Sequence, residues 1–157
     1  IWGSWLMLAG ALSLSAAVSN SGLAVYIADL ALPIAKGHHW MIILMIMIGV
    51  THIIRLGMLS NVAAISMLAP VMLAMAPKLG LHPIPFTLIV CNTDTFAYFL
   101  PTQTTAGVIA YSTNTFTVWD YAKAGIGAMI IAATWDILVM SHWYAFMGFP
   151  IWEPLVR

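Results

Sequence analysis

The 157-residue chain is 62% hydrophobic and 6% charged, with a net charge of zero. A soluble domain carries roughly a quarter charged residues, so a water-exposed fold would leave most of this surface apolar; lipid or other membrane subunits must solvate it instead. With no basic run, nothing here suits nucleic acid. The one cysteine, Cys91, excludes an internal disulfide and reads as a small packing residue. No alternation of apolar and polar residues marks a barrel strand, so the expected fold class is an all-α integral membrane protein.

The first 28 residues hold no Asp, Glu, Lys or Arg. Residues 4–19 predict one span, rich in Gly10, Ala11, Ser13, Ser15, Ala16 and Ala17, and small residues let membrane helices approach closely. The chain opens on Ile1 with no positively charged region and no small-residue cleavage site, so its start does not read as a signal peptide; it reads as a piece of a longer protein. Asn20, Ser21 and Gly22 break the span. Residues 23–35 carry Asp29 and Pro33, which suits a short interfacial helix. Lys36 to Trp40 form an interfacial turn, the depth tryptophan prefers.

Residues 41–76 hold two apolar arms around a polar stretch that includes His52, Arg55, Ser60 and Asn61. Each arm is short for a full crossing, which predicts a re-entrant helical hairpin with its tip near 60–61. Non-helical backbone at membrane depth is tolerated only against protein or a wet cavity. Residues 86–111 form a second interrupted stretch, split by the loop 101–107 (Pro101-Thr102-Gln103-Thr104-Thr105-Ala106-Gly107). This predicts a discontinuous helix, and such interrupted segments point to a transporter binding site. Residues 112–123 predict a polar turn and short interfacial helix, and 124–149 the last span, carrying Asp136 and His142.

Three ordered stretches carry a resemblance. Leu59-Ser60-Asn61-Val62-Ala63-Ala64 with Leu68-Ala69-Pro70 resembles a Ser-Asn-Thr hairpin tip and its following arm. Phe99 to Tyr111 resembles a Leu-Pro-x-x-Thr-Pro-x-Asn loop that breaks a later helix. Phe116 to Gly125 resembles an amphipathic segment before a last span. Together they resemble the C-terminal half of the divalent anion:sodium symporter family, which carries dicarboxylates, citrate or sulfate. The chain departs from the pattern at Val62 (usually Thr), Thr105 (usually Pro) and Gly107 (usually Asn).

The resemblance implies one inverted-repeat half that holds the hairpin and the discontinuous helix. It implies sodium-coupled transport of small organic dianions by alternating access in the inner (plasma) membrane, with no enzymatic reaction. Ser60, Asn61, Val62, Thr104 and Thr105 would face the substrate. Asn61, with Leu59, Gln103 and Gly107, would hold a sodium ion, the sole cofactor. The implied partners are a small anion, the bilayer, the missing repeat half and a second copy in a homodimer.

Other readings of the same residues stay open. Ser60-Asn61 could cap an ordinary turn, and Thr102, Thr104 and Thr105 could satisfy their own backbone. Arg55 could attract an anion, snorkel, or pair with Asp94. Asp94 could serve a proton, a cation, Arg55 or a helix cap, and Asp136 has the same choices beside an interhelical bond. A scaffold subunit of a larger membrane enzyme complex is the alternative function, and an intramembrane metalloenzyme subunit a third. His38, His39, His52, His82 and His142 show no spacing that places two ligands on one helix face, and the eleven methionines fall in apolar runs suited to packing.

Overall fold

A computed structural model describes residues 6, 9–10, 13, 16–17, 20–56, 61–96 and 98–153, without the side chains of Ala24, Ala28, Thr102 and Thr105. The span expected at 4–19 lies mostly outside these residues. Every regular element among the described residues is helical.

Helix α1 (Leu23–Ala35) is followed by α2 (Trp40–Arg55) and α3 (Asn61–Met75), which tightens into a 3-10 turn at Ala76–Leu79. Then come α4 (Pro83–Asp94), a 3-10 turn at Pro101–Gln103 and α5 (Thr105–Tyr111). Helix α6 (Val118–Trp135) continues through a π turn, Asp136–Met140, into α7 (Ser141–Phe146). Pro83 fits the first position of α4, where its missing N–H is no loss, and His82 Nδ1 accepts from the Ile84 N–H at 3.3 Å. At α6, Thr117 accepts from the Asp120 N–H (3.2 Å) while the Asp120 carboxylate accepts from the Thr117 N–H (3.1 Å). No proline follows until Pro150, so the helix passes the boundary expected between 112–123 and 124–149 without a break.

Helix α4 is the centre of the bundle, touching α2, α3, α6 and the π turn. The starts of α2 and α4 meet the C-terminal residues: Trp40 packs on Trp152 (5.6 Å between rings), and the His82 N–H donates to the Ile151 carbonyl (2.9 Å). Their ends meet at Arg55 and Asp94. The two helices therefore run the same way. Helix α3, which begins six residues after Arg55 and ends shortly before α4 starts, runs back between those levels.

The core consists of Leu44, Met47 and Ile48 from α2, Val71, Met72 and Met75 from α3, and Phe86, Ile89 and Val90 from α4, closed by Ile137 and Ile151. The unbranched methionines fill the irregular space between helices. Outside, Tyr26, Leu30, Met45, Ile53, Ile109, Ile130, Ile131, Trp135 and Phe146 are exposed, an apolar exterior suited to lipid. Two helices, Asn61–Leu79 and Val118–Phe146, are long and apolar enough to cross a membrane. Asn61–Leu79 reaches that length because the 3-10 turn extends α3 without interruption.

A close approach fixes α6 against the chain leaving α4. A Cβ at Gly125 would overlap the Tyr98 carbonyl, a backbone group that cannot swing away. Gly125→Ala is expected to lower unfolding stability by about 1–3 kcal/mol, the usual cost of overpacking. Gly127→Ala, where a Cβ meets nothing within 4 Å, is the control and should unfold like the parent in a thermal melt of the purified protein.

Candidate functional site

The polar residues gather where α2 and α4 end. Arg55 and Asp94 are wholly buried, with Arg55 Nη1 3.8 Å from Asp94 Oδ2. Of the readings open for these two residues, the ion pair is the one the fold adopts. At that separation the attraction is Coulombic rather than a hydrogen bond.

Gln103 ties this pair to the loop. Its Oε1 accepts from the N–H groups of Phe99 (2.8 Å) and Leu100 (3.0 Å), and its Nε2 donates to the Arg55 carbonyl (3.4 Å). The side chain is buried, so these bonds replace water for two loop amides and one carbonyl at the end of α2. Gln103 thereby holds the 99–103 loop against the end of the first arm, five residues before Ser60.

At the start of α5, Thr104 is the N-cap, and its hydroxyl accepts from the Gly107 N–H at 3.0 Å. Gly107 is buried and has no room for a side chain: a Cβ would overlap the Pro101 carbonyl and lie 2.9 Å from Thr104 Oγ1 and 3.0 Å from the Tyr121 hydroxyl. The asparagine usual at this place in the resembled pattern would not fit this packing. Thr104→Ala should cost about 1 kcal/mol through loss of the cap, while Thr104→Ser keeps it; paired thermal melts check the difference.

Asn61 opens α3. Its Oδ1 is buried and has no hydrogen-bond partner among the described residues; a neutral amide oxygen of this kind can accept from a donor. Val62 beside it is exposed. Leu59 and Ser60 lie outside the described residues. Thr105 contributes backbone to the first turn of α5, and its side chain lies outside them too.

A second polar node joins α4 to the last helix. Asp136 Oδ2 accepts from Thr93 Oγ1 (2.7 Å), and both Asp136 oxygens lie 3.1 Å from Asn92 Nδ2. Asp136 thus makes the interhelical bond, at the first residue of the π turn, a distortion that often accompanies a special side-chain demand. The histidines have local roles. His39 and His82 accept from backbone N–H groups at helix starts, and His52 and His142 bond the Ile48 and Leu138 carbonyls one turn back. Among the described residues, no three His, Cys, Asp or Glu side chains cluster as metal ligands.

Residues 1–149 match the family described as the sodium:sulfate symporter transmembrane region. Solute carrier family 13 member 1 of Rattus norvegicus is 27% identical over 98% of this chain and 26% of its own length. The sodium-dependent low-affinity dicarboxylate transporter 1 of Caenorhabditis elegans is 28% identical over 96% of this chain and 26% of its own length. The Na(+)/citrate cotransporter of Rattus norvegicus is 26% identical over 99% and 28%. The chain spans about a quarter of the length of these relatives. Two membrane-length helices, an apolar exterior and a match over nearly the whole sequence agree: the chain belongs to the sodium:sulfate symporter family of integral membrane transporters.

Proposed function

We propose that this chain supplies the C-terminal repeat of a plasma-membrane transporter that carries small organic dianions, such as dicarboxylates, together with sodium. Residues 41–76 act as a re-entrant hairpin with its tip at 60–61, and 86–111 as a discontinuous helix broken at 101–107. The two move as one body in alternating access. Ser60, Asn61, Val62, Thr104 and Thr105 line the anion side. Asn61, Leu59, Gln103 and Gly107 supply oxygens to the sodium ion. A second repeat completes the site, and two copies pair as a homodimer.

The observation that carries this reading is the Gln103 bridge to the Arg55 carbonyl. It holds the 99–103 loop at the end of α2, and at the start of α3, six residues on, Asn61 Oδ1 is buried without a partner among the described residues. Sodium is a hard cation, and neutral amide and carbonyl oxygens suit it. Anions are favoured at helix N-termini, and α3 begins at Asn61. The names of two relatives, a dicarboxylate transporter and a citrate cotransporter, support a carboxylate anion.

The test is uptake of labelled succinate by liposomes holding the complete protein, under an inward sodium gradient and then an equal potassium gradient, with citrate and sulfate as competitors. Sodium-dependent uptake blocked by a dicarboxylate or tricarboxylate supports the reading. Uptake blocked by sulfate alone moves the substrate to inorganic dianions. No uptake of any anion returns the chain to a scaffold role.

A further inference from the structure

Asp136 is a buried carboxylate that the proposed site leaves unused. It is 2% exposed, and a charge so far from water is paired with an opposite charge or coordinates a metal ion. The ion pairs among the described residues are Arg55–Asp94 and Lys78–Asp29. What faces Asp136 there is neutral: the Thr93 hydroxyl at 2.7 Å, and the Asn92 side-chain nitrogen 3.1 Å from each carboxylate oxygen.

This node is rich in oxygen and short of positive charge. Thr93 Oγ1 also lies 2.9 Å from the Ile89 carbonyl. Its one hydrogen can go to the carbonyl or to the carboxylate, so one of the two contacts brings oxygens together with no hydrogen between them. Asn92 adds an amide whose two ends have nearly the same size; turned over, it presents Oδ1 where Nδ2 now stands. The carboxylate, the Thr93 hydroxyl and the Asn92 carbonyl then form an all-oxygen set of the kind hard cations take. One carboxylate balances one positive charge, and a divalent ion would leave a buried excess. A proton would use a single oxygen, whereas this gathering suits an ion that takes several. Asn92 is exposed, and with Asp136 it lines a groove of about 510 Å³ between α4 and the last helix, which gives the ion a way in.

We propose that Asp136, Thr93 and Asn92 bind a sodium ion between α4 and the last helix, separate from the ion assigned to Asn61. The choice of sodium among monovalent cations rests on the sodium coupling proposed above. Bound there, the ion ties the π turn to α4 at Thr93, the residue before Asp94, and so to the end of α4 that carries the Arg55 pair.

The test is equilibrium binding of radiolabelled sodium to the complete purified protein, without any anion, for the parent, Asp136→Asn, Asn61→Ala and Thr93→Val. Asparagine keeps the size of the aspartate and removes its charge. Asp136→Asn should bind one sodium ion fewer than the parent at saturation, and Asn61→Ala should keep the ion at Asp136. Thr93→Val keeps the shape of the side chain without the hydroxyl, and should weaken that ion's binding roughly tenfold, the loss of one contact to a charged group. Equal numbers of bound sodium ions in the parent and Asp136→Asn, zero included, overturn the proposal; that is the outcome if a proton or a basic side chain from the rest of the protein neutralises Asp136. A Thr93→Val titration superimposable on the parent's also overturns it, and decides the matter if Asp136→Asn does not fold. An ion lost in Asn61→Ala alone removes this site and leaves the Asn61 site standing, and an ion lost in Asp136→Asn alone does the reverse.

Discussion

Asp94→Asn alone is expected to destabilise the protein by about 3–5 kcal/mol, the usual cost of removing one partner from a buried charge pair. Arg55 and Asp94 are both wholly buried, so the guanidinium would lose the carboxylate 3.8 Å away without gaining water. Asparagine keeps the shape of the side chain, so the effect isolates the charge. The double variant Arg55→Met with Asp94→Leu should recover most of the loss, because two apolar side chains remove both buried charges together. The measurement is a double-mutant cycle on unfolding midpoints of the complete protein in detergent. An Asp94→Asn protein that melts with the parent would show that the carboxylate does not hold Arg55 in place. Uptake by the double variant then separates two roles: retained transport marks a structural pair, and lost transport in a folded protein marks one that works during the cycle.

Asn61→Ala should raise the sodium concentration needed for half-maximal uptake by about 5–150-fold, the range of a 1–3 kcal/mol coupling between two ligands. Alanine removes the Oδ1 that is buried without a partner among the described residues, and with it one oxygen of the proposed sodium shell. The maximal rate at saturating sodium should fall less than the apparent affinity, because an ion that stabilises the binding-competent state acts through its population. Asn61→Asp serves as a comparison that keeps the oxygen and adds charge. A sodium titration of succinate uptake that is superimposable for the parent and Asn61→Ala would remove Asn61 from the ion site.

The polar stretches around Asn61 and at 101–107 stand out in the sequence because proline and clustered hydroxyl and amide residues interrupt apolar runs, and apolar runs dominate this sequence; the helix before the second stretch ends earlier, at Asp94, and the next one starts inside it, at Thr105. The Arg55–Asp94 pair was one of several readings. A buried charge in an apolar stretch demands some partner, but a sequence does not say which of several acids folds back to meet it. The work of the Gln103 side chain was not legible. A glutamine in a polar loop offers a backbone carbonyl and a side-chain amide alike, and the choice follows from Phe99 and Leu100 turning their N–H groups toward it. The partners of Asp136 lie 43 and 44 residues away in sequence, beyond any local pattern.

The start of the last helix was placed too late because Asp120 and Lys123 read as interfacial. Thr117 and Asp120 instead cap the helix start, and Lys123 lies over the Trp119 ring at 5.5 Å. Both charges therefore fit inside the first turns of one continuous helix.

Equilibrium binding of labelled succinate to the complete protein across a sodium series, with sodium binding measured across a succinate series, tests most directly whether the hairpin tip and the loop form one ion-coupled anion site. The expected result is that sodium tightens succinate binding and succinate tightens sodium binding by the same factor, as linkage requires. Succinate affinity that stays constant from sodium-free buffer to saturating sodium would contradict it.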